Sequence, residues 1–190
     1  MRIPTHLMAI VLPAALATQG VQTAHADPMA LTSITLPGQV ETGQWTDLTA
    51  GANPGFGALP GTAPWPGGIT AQAGGSDASL NKIANGSGGG PYLAGGSIYF
   101  GGFSADANNF DGTLAVSDAT PVAGLQTVAF QIQIGEAWTY DFWNHQLPTL
   151  SYNGGSQNLD ATDHATLEKY FSGTVAMPTG EEPVYINTYL

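Results

Sequence analysis

Glycine and proline are concentrated in one stretch of the chain, and this concentration limits the folds open to it. Residues 51–102 hold 16 of the 26 glycines and five of the 13 prolines. In a helix interior, glycine costs about 1 kcal/mol and proline about 3 kcal/mol relative to alanine. The stretch therefore predicts loops joined by short strands, which we place at 68–73, 79–84 and 97–100.

Strand patterns are clearest outside that stretch. In residues 125–134, Val128, Phe130, Ile132 and Ile134 occupy one face, and Thr127, Gln131 and Gln133 occupy the other, as in a β-strand. Asn153-Gly154 favours a hairpin turn between strands at 147–152 and 156–159. Only 160–171 has a competing helical pattern, and further strands are expected at 31–36, 111–117, 174–177 and 184–189. This pattern predicts an all-β fold, an antiparallel β-sandwich or jelly roll with long Gly/Pro-rich loops.

The first 26 residues have the features of a secretory signal peptide. Arg2 precedes an apolar stretch at 7–17, and Ala24-His25-Ala26 supplies a small-x-small cleavage pattern. The apolar run is shorter than the ~20 residues that span a bilayer. We expect Sec export, cleavage after Ala26, and a single β-sandwich domain at 27–190 that is secreted or held at the cell surface.

Charge and cysteine content exclude several classes of protein. The whole chain has 14 acidic residues against three basic ones, which argues against nucleic acid and anionic membranes as partners. The absence of cysteine excludes disulfides, iron–sulfur clusters and thiolate zinc sites. No further apolar window of about 18 residues follows residue 26, so no transmembrane segment is expected in the mature chain.

Residues 136–145 combine aromatic side chains with acidic and other polar side chains more closely than any other segment. In an extended strand, Trp138 and Tyr140 share one face, and Asp141, Trp143 and His145 share the other. Aromatic faces beside polar groups suit a sugar-binding platform. The alternative is that the aromatic side chains belong to the core.

Two segments have the side chains of a metal site. Asp106, Asn108 and Asp111 lie in an oxygen-rich segment that resembles a calcium loop, although Phe110 takes a position that an EF-hand gives to a ligand. Calcium is the candidate cation, and no other cofactor is expected. On a helix, Asp160, His164 and Glu168 would share one face and suit zinc or manganese; the alternative is an exposed, capped turn.

The sequence also resembles a known class of bacterial exported proteins. The signal pattern, the acidic cysteine-free region, residues 170–175 (YFSGTV) and residues 185–190 (YINTYL) are similar to the ectodomains of the PEP-CTERM sorting class. The Pro-Glu-Pro motif, transmembrane stretch and basic residues that end proteins of this class do not occur in residues 1–190. The resemblance implies association with the cell surface or matrix and with exopolysaccharide, and it nominates no catalytic residues.

The chain ends on Leu190 inside a strand-like run. A last strand docked in a sheet can end in this way, and so can a chain that has been truncated. The mode of surface attachment is left open by this alternative.

Three hypotheses about function follow. The first is an exported, non-enzymatic β-sandwich of the cell surface or matrix, with polysaccharide or other surface proteins as partners. The second is a carbohydrate-binding module that uses residues 138–145, and the third is a glycan-degrading enzyme. No serine lies in a Gly-x-Ser-x-Gly motif, and with 14 acids the sequence singles out no catalytic pair.

Overall fold

The fold is built from β-strands and loops. The computed structural model describes residues 2–3, 31, 34–57, 63–86, 89–100, 112–137, 147–177 and 180–190, and these residues contain no helix. The prediction of an all-β fold is therefore confirmed. The strands are β1 (Arg2–Ile3), β2 (Ile69–Thr70), β3 (Ser79–Asn85), β4 (Tyr92–Leu93), β5 (Ile98–Tyr99), β6 (Gly112–Ser117), β7 (Leu125–Gln126), β8 (Ile132–Ala137), β9 (Thr149–Tyr152), β10 (Gln157–Asp160), β11 (Thr166–Met177) and β12 (Gly180–Tyr189).

Two three-stranded antiparallel sheets form the larger part of this fold. One has the order β2-β3-β6 and the other the order β11-β12-β8. The pairs β4-β5 and β9-β10 are antiparallel, and β1 pairs with β7 in parallel. The strands β2 to β5 lie in the Gly/Pro-rich stretch and have two to seven residues each, as its composition predicts.

The β9–β10 hairpin follows directly from its turn residues. Asn153, Gly154 and Gly155 have φ values of 52°, 67° and 86°. Asparagine and glycine adopt this left-handed region more readily than other residues. The register that results pairs Tyr152 with Gln157, and the predicted hairpin is confirmed.

Three local predictions differ from the structure. Residues 34–36 of the expected strand at 31–36 are not in a strand, and residues 127–131 precede β8 without belonging to it. The helical pattern at 160–171 is wrong, because β10 ends at Asp160 and β11 begins at Thr166. Pairing with β12 over ten registered positions decides the conformation of β11. Such tertiary pairing readily outweighs a weak local preference for helix.

The hydrophobic core is centred on Trp45, which no sequence pattern singles out. Trp45 is fully buried, and its indole N–H donates to the carbonyl of Ile69 at 2.7 Å. The core includes Leu80 of the first three-stranded sheet and Ile132 and Tyr189 of the second, so both sheets pack on one core. Its other buried members are Leu48, Ile69, Ala78, Leu93 and Ile98.

Loops of the Gly/Pro-rich stretch pack back onto this core. Phe56 and Trp65 lie against it and meet edge to face, with ring centroids 5.7 Å apart. Gly57 allows this approach, since a Cβ atom there would clash with the carbonyl group of Leu93. The aromatic residues of the stretch therefore serve as anchors for its loops.

Strand β8 is buried on both faces where it begins. Ile132 faces the core, yet Gln131 and Gln133 on the opposite face are also buried, with 0% and 1% exposure. The Gln133 amide donates to Thr188 Oγ1 on the paired strand at 3.3 Å. The alternating pattern of residues 128–134 therefore marks two packed surfaces rather than one packed and one solvated surface.

Replacing Trp45 tests the central role of this residue. Trp45→Phe removes the indole donor and leaves part of the ring volume empty, so we expect the free energy of unfolding to fall by roughly 1–3 kcal/mol. Urea unfolding followed by circular dichroism measures the change. Ile83→Ala is the control, because Ile83 is 62% exposed and its truncation should change stability little. An unchanged urea midpoint for Trp45→Phe would contradict the assignment.

Burial perturbs the ionisation of two paired tyrosines. Tyr92 and Tyr99 are opposite each other in β4 and β5, with ring centroids 5.5 Å apart. Burial raises the pKa of both hydroxyls, and the neighbouring charge of ionised Tyr99 raises the pKa of Tyr92 further. Both groups are therefore held in their neutral form in the folded chain.

This shift predicts a loss of stability in alkali. Below about pH 10 both tyrosines are neutral in the folded and unfolded chain, and their contribution to stability is complete. Above that pH the unfolded chain ionises first, so stability falls as pH rises through the higher folded pKa. The double variant Tyr92→Phe/Tyr99→Phe should lose less stability than wild type in urea titrations between about pH 9 and pH 11. Tyr152→Phe removes one hydroxyl from the β9–β10 hairpin as a matched control, and equal pH slopes for wild type and the double variant would refute the prediction.

Candidate functional site

Three carboxylates converge at one edge of the first three-stranded sheet. We call Glu41, Asp77 and Asp118 the acid cluster, because one oxygen from each lies within 4.8 Å of the other two. The backbone brings them together in two steps. A parallel bridge between Thr42 and Gly75 places Glu41 near Asp77, and the pairing of Ser79 with Ser117 places Asp77 near Asp118.

Each carboxylate of the acid cluster accepts hydrogen bonds from the protein. Glu41 Oε2 accepts from the backbone N–H of Val122 at 3.0 Å. Asp77 Oδ2 accepts from Thr120 Oγ1 at 2.9 Å. Asp118 accepts from the backbone N–H of Thr120 at 2.9 Å and from Ser76 Oγ at 3.2 Å. The acid cluster therefore fixes the turn after β6 against the segments that carry Glu41 and Asp77.

The chemistry of the acid cluster suits a hard cation. Carboxylate oxygens are the ligands that calcium and magnesium prefer, and Glu41 and Asp118 are partly buried while Asp77 is exposed. Without a cation, the three negative charges repel one another at this distance. The hydrogen bonds from Thr120, Val122 and Ser76 offset part of that repulsion.

The residues predicted for binding are not among those that form the acid cluster. The proposed sugar platform of Trp138, Tyr140, Asp141, Trp143 and His145 lies outside the described residues, and so does the calcium segment of Asp106, Asn108 and Asp111. The described residues test neither prediction. The carboxylates that the described residues do bring together are a different set of acids.

The structure does not assemble Asp160, His164 and Glu168 as the helical pattern suggests. Asp160 ends β10 and accepts a hydrogen bond from Thr149 Oγ1 at 3.1 Å. His164 lies in the following loop, and Glu168 lies in β11 opposite Thr188. Since the helix that would align them is replaced by a strand and a loop, the three side chains share no face.

The acid cluster could have been found only in part from the sequence. Asp77 precedes the strand predicted at 79–84 and Asp118 follows the strand predicted at 111–117. Antiparallel pairing of these two strands would place both acids at the same edge of a sheet. Glu41 is contributed by an irregular segment, and no local pattern signals its approach.

Comparisons with known proteins identify no relative from which a role for the acid cluster could be inferred. The chain matches no protein-family model, no curated protein and no solved structure. In the described part of the chain, no helix has the length and apolar character needed to cross a membrane.

Neutralising one member of the acid cluster should stabilise the protein when divalent cations are removed by chelation. Asp77→Asn keeps an oxygen for the Thr120 hydroxyl and removes one of three repelling charges. We expect the melting temperature at low salt to rise by about 1–3 °C, and the gain to shrink at high salt as the repulsion is screened. Differential scanning calorimetry measures both effects.

Asp163→Asn is the matched control for this variant. It removes one negative charge from an exposed loop and leaves the acid cluster intact. A melting temperature that rises equally in both variants would assign the gain to net charge rather than to the acid cluster.

Proposed function

We propose that this chain is an exported, non-enzymatic β protein of the cell surface or extracellular matrix. The observation that carries the proposal is the signal pattern of residues 1–26, in which Arg2 precedes an apolar run and Ala24-His25-Ala26 follows it. The position of the core supports it as well. All core members among the described residues lie at Trp45 or later, so cleavage after Ala26 would remove none of them. Of the described strands, only β1 lies within the segment that cleavage would remove.

The composition of residues 27–190 is compatible with a location outside the cell. After residue 26 the chain has 14 acidic residues and only Lys82 and Lys169 as cations. Such a surface resists aggregation and does not attract nucleic acids. A core without cysteine is also insensitive to the redox state of its surroundings.

Calcium is the counterion we propose for this surface, with the acid cluster as its site in the described residues. Binding to the folded chain alone would raise the melting temperature through linkage. The Asp77→Asn variant should respond less to millimolar calcium than wild type does. A wild-type melting temperature that does not change with calcium would remove this part of the proposal.

Processing of the leader tests the proposal of export. Full-length chain produced in a Gram-negative host should reach the periplasm or the medium with Asp27 as its amino terminus, as read by intact mass and N-terminal sequencing. Ala24→Lys should block cleavage, because signal peptidases require a small residue at that position. His25→Ala is the control and should be processed normally. Wild-type chain that stays uncleaved in the cytoplasm would disprove export.

A further inference from the structure

The inner face of the second three-stranded sheet continues beyond the core. Tyr189, Asn187 and Tyr185 alternate along β12 and share this face. Tyr189 and Asn187 are 2% exposed, whereas Tyr185 is only partly buried. Its partner across the ladder, Phe171 of β11, is 58% exposed. Over four residues the face therefore changes from buried core to accessible surface.

The accessible part of the face carries two aromatic rings and a cation. We call Phe171, Tyr185 and Lys169 the aromatic patch. The rings of Phe171 and Tyr185 meet edge to face at 67°, with centroids 5.9 Å apart. Lys169 Nζ lies 4.7 Å from the centroid of the Tyr185 ring. A cation at that distance is attracted by the ring, which favours the observed position of Tyr185 beside the exposed Phe171.

Polar groups lie beside the aromatic patch on the same face. The register pairs Thr174 with Pro183 and Ala176 with Glu181, which continues the side of the sheet that carries Phe171 and Tyr185. Thr174 Oγ1 donates to Glu181 Oε2 at 3.4 Å. The rim of the patch therefore offers a hydroxyl, a carboxylate and the three ammonium donors of Lys169.

These groups match the two surfaces of a sugar ring. A pyranose presents C–H groups on its face, which pack on an aromatic ring, and hydroxyl groups at its edge, which both donate and accept hydrogen bonds. An exposed phenyl ring flanked by donors and acceptors meets both requirements. A purely apolar partner would leave the Lys169 and Glu181 side chains without compensation for lost water.

The negative charge of the chain favours neutral ligands over anionic ones. The chain carries a net charge of −11, and Glu181 lies on the patch face itself. An anionic polysaccharide, a nucleic acid or a second copy of this chain would bring further negative charge toward that surface. A neutral, hydroxyl-rich ligand brings none.

We propose that the aromatic patch binds a neutral polysaccharide, with one sugar ring stacked on Phe171 and with hydroxyls of this ring and of its neighbours in the polymer bonded to Lys169, Thr174 and Glu181. The residues of this site differ from residues 138–145, which the sequence suggests for sugar binding. The proposal relies on export only for the supply of the ligand, because binding itself is a property of the purified chain. Failure of export and failure of binding are therefore separate results.

Affinity electrophoresis and isothermal titration calorimetry with the full chain test the proposal. The probes are a soluble β-glucan, a soluble α-glucan, a galactomannan and, as an anionic comparison, alginate. We expect binding to at least one neutral polysaccharide and weaker binding to alginate. Phe171→Ala should lower the affinity about tenfold, and Phe171→Tyr, which keeps a ring, should retain affinity within about threefold.

Leu167→Ala is the matched control, since Leu167 is an apolar residue of the same strand with 42% exposure. It should leave the affinity unchanged. Circular dichroism and melting temperature should be equal in all variants, because Phe171 and Leu167 are exposed. Should Phe171→Ala lose the fold, Lys169→Met, which should weaken binding about threefold or more, replaces it as the test.

Three outcomes would overturn the proposal. The first is no binding to any of the neutral polysaccharides. The second is a neutral-polysaccharide affinity that Phe171→Ala and Leu167→Ala change equally. The third is a dimer in analytical ultracentrifugation that Phe171→Ala abolishes, which would assign the aromatic patch to contact between copies of this chain.

Discussion

Burial of Trp45 is the interaction on which the described fold depends. The indole ring lies in a core shared by both three-stranded sheets, and its N–H satisfies the carbonyl of Ile69 in the short strand β2. The segment that carries Trp45 belongs to no named strand. It is held by isolated bridges to Gly75 and Ala73 and by the backbone hydrogen bonds around them, to which the packing of Trp45 and side-chain hydrogen bonds add. Large aromatic side chains bury the most apolar surface and dominate the energetics of hydrophobic cores.

A chain with so few cations stabilises its loops by hydrogen bonds to backbone and hydroxyl groups. The amide of Gln72 accepts from the backbone N–H groups of Thr46 and Asp47 and donates to the Asp47 carbonyl at 2.6 Å. These bonds fix the backbone directly after Trp45. The acid cluster works in the same way, because its carboxylates accept from hydroxyls and backbone N–H groups. Polar contacts to the backbone thus position both the core and the candidate cation site.

The second three-stranded sheet serves two roles along one face. Near Ile132 and Tyr189 that face belongs to the core, and near Phe171 it becomes surface. Pairing of β11 with β12 continues from the buried part of the face into the exposed part, so the aromatic patch is presented from a hydrogen-bonded scaffold. Rigid presentation lowers the entropic cost of ordering a binding surface, which suits the role that we propose for the aromatic patch.

The sequence by itself determined the fold class, the hairpin at Asn153-Gly154 and most strand positions. These features depend on local properties: alternation, the φ freedom of glycine and asparagine, and the inability of the 51–102 stretch to propagate a helix. Tertiary structure decided the rest. Only pairing with β12 made 166–173 a strand. Only packing selected Trp45 as the centre of the core, and only the approach of residues distant in sequence assembled Glu41 with Asp77 and Asp118. Phe171 ends the segment that has the competing helical pattern, and only its partner Tyr185 and the end of the core show that it is an exposed strand residue. Exposure depends on what lies across a sheet rather than on the residue itself.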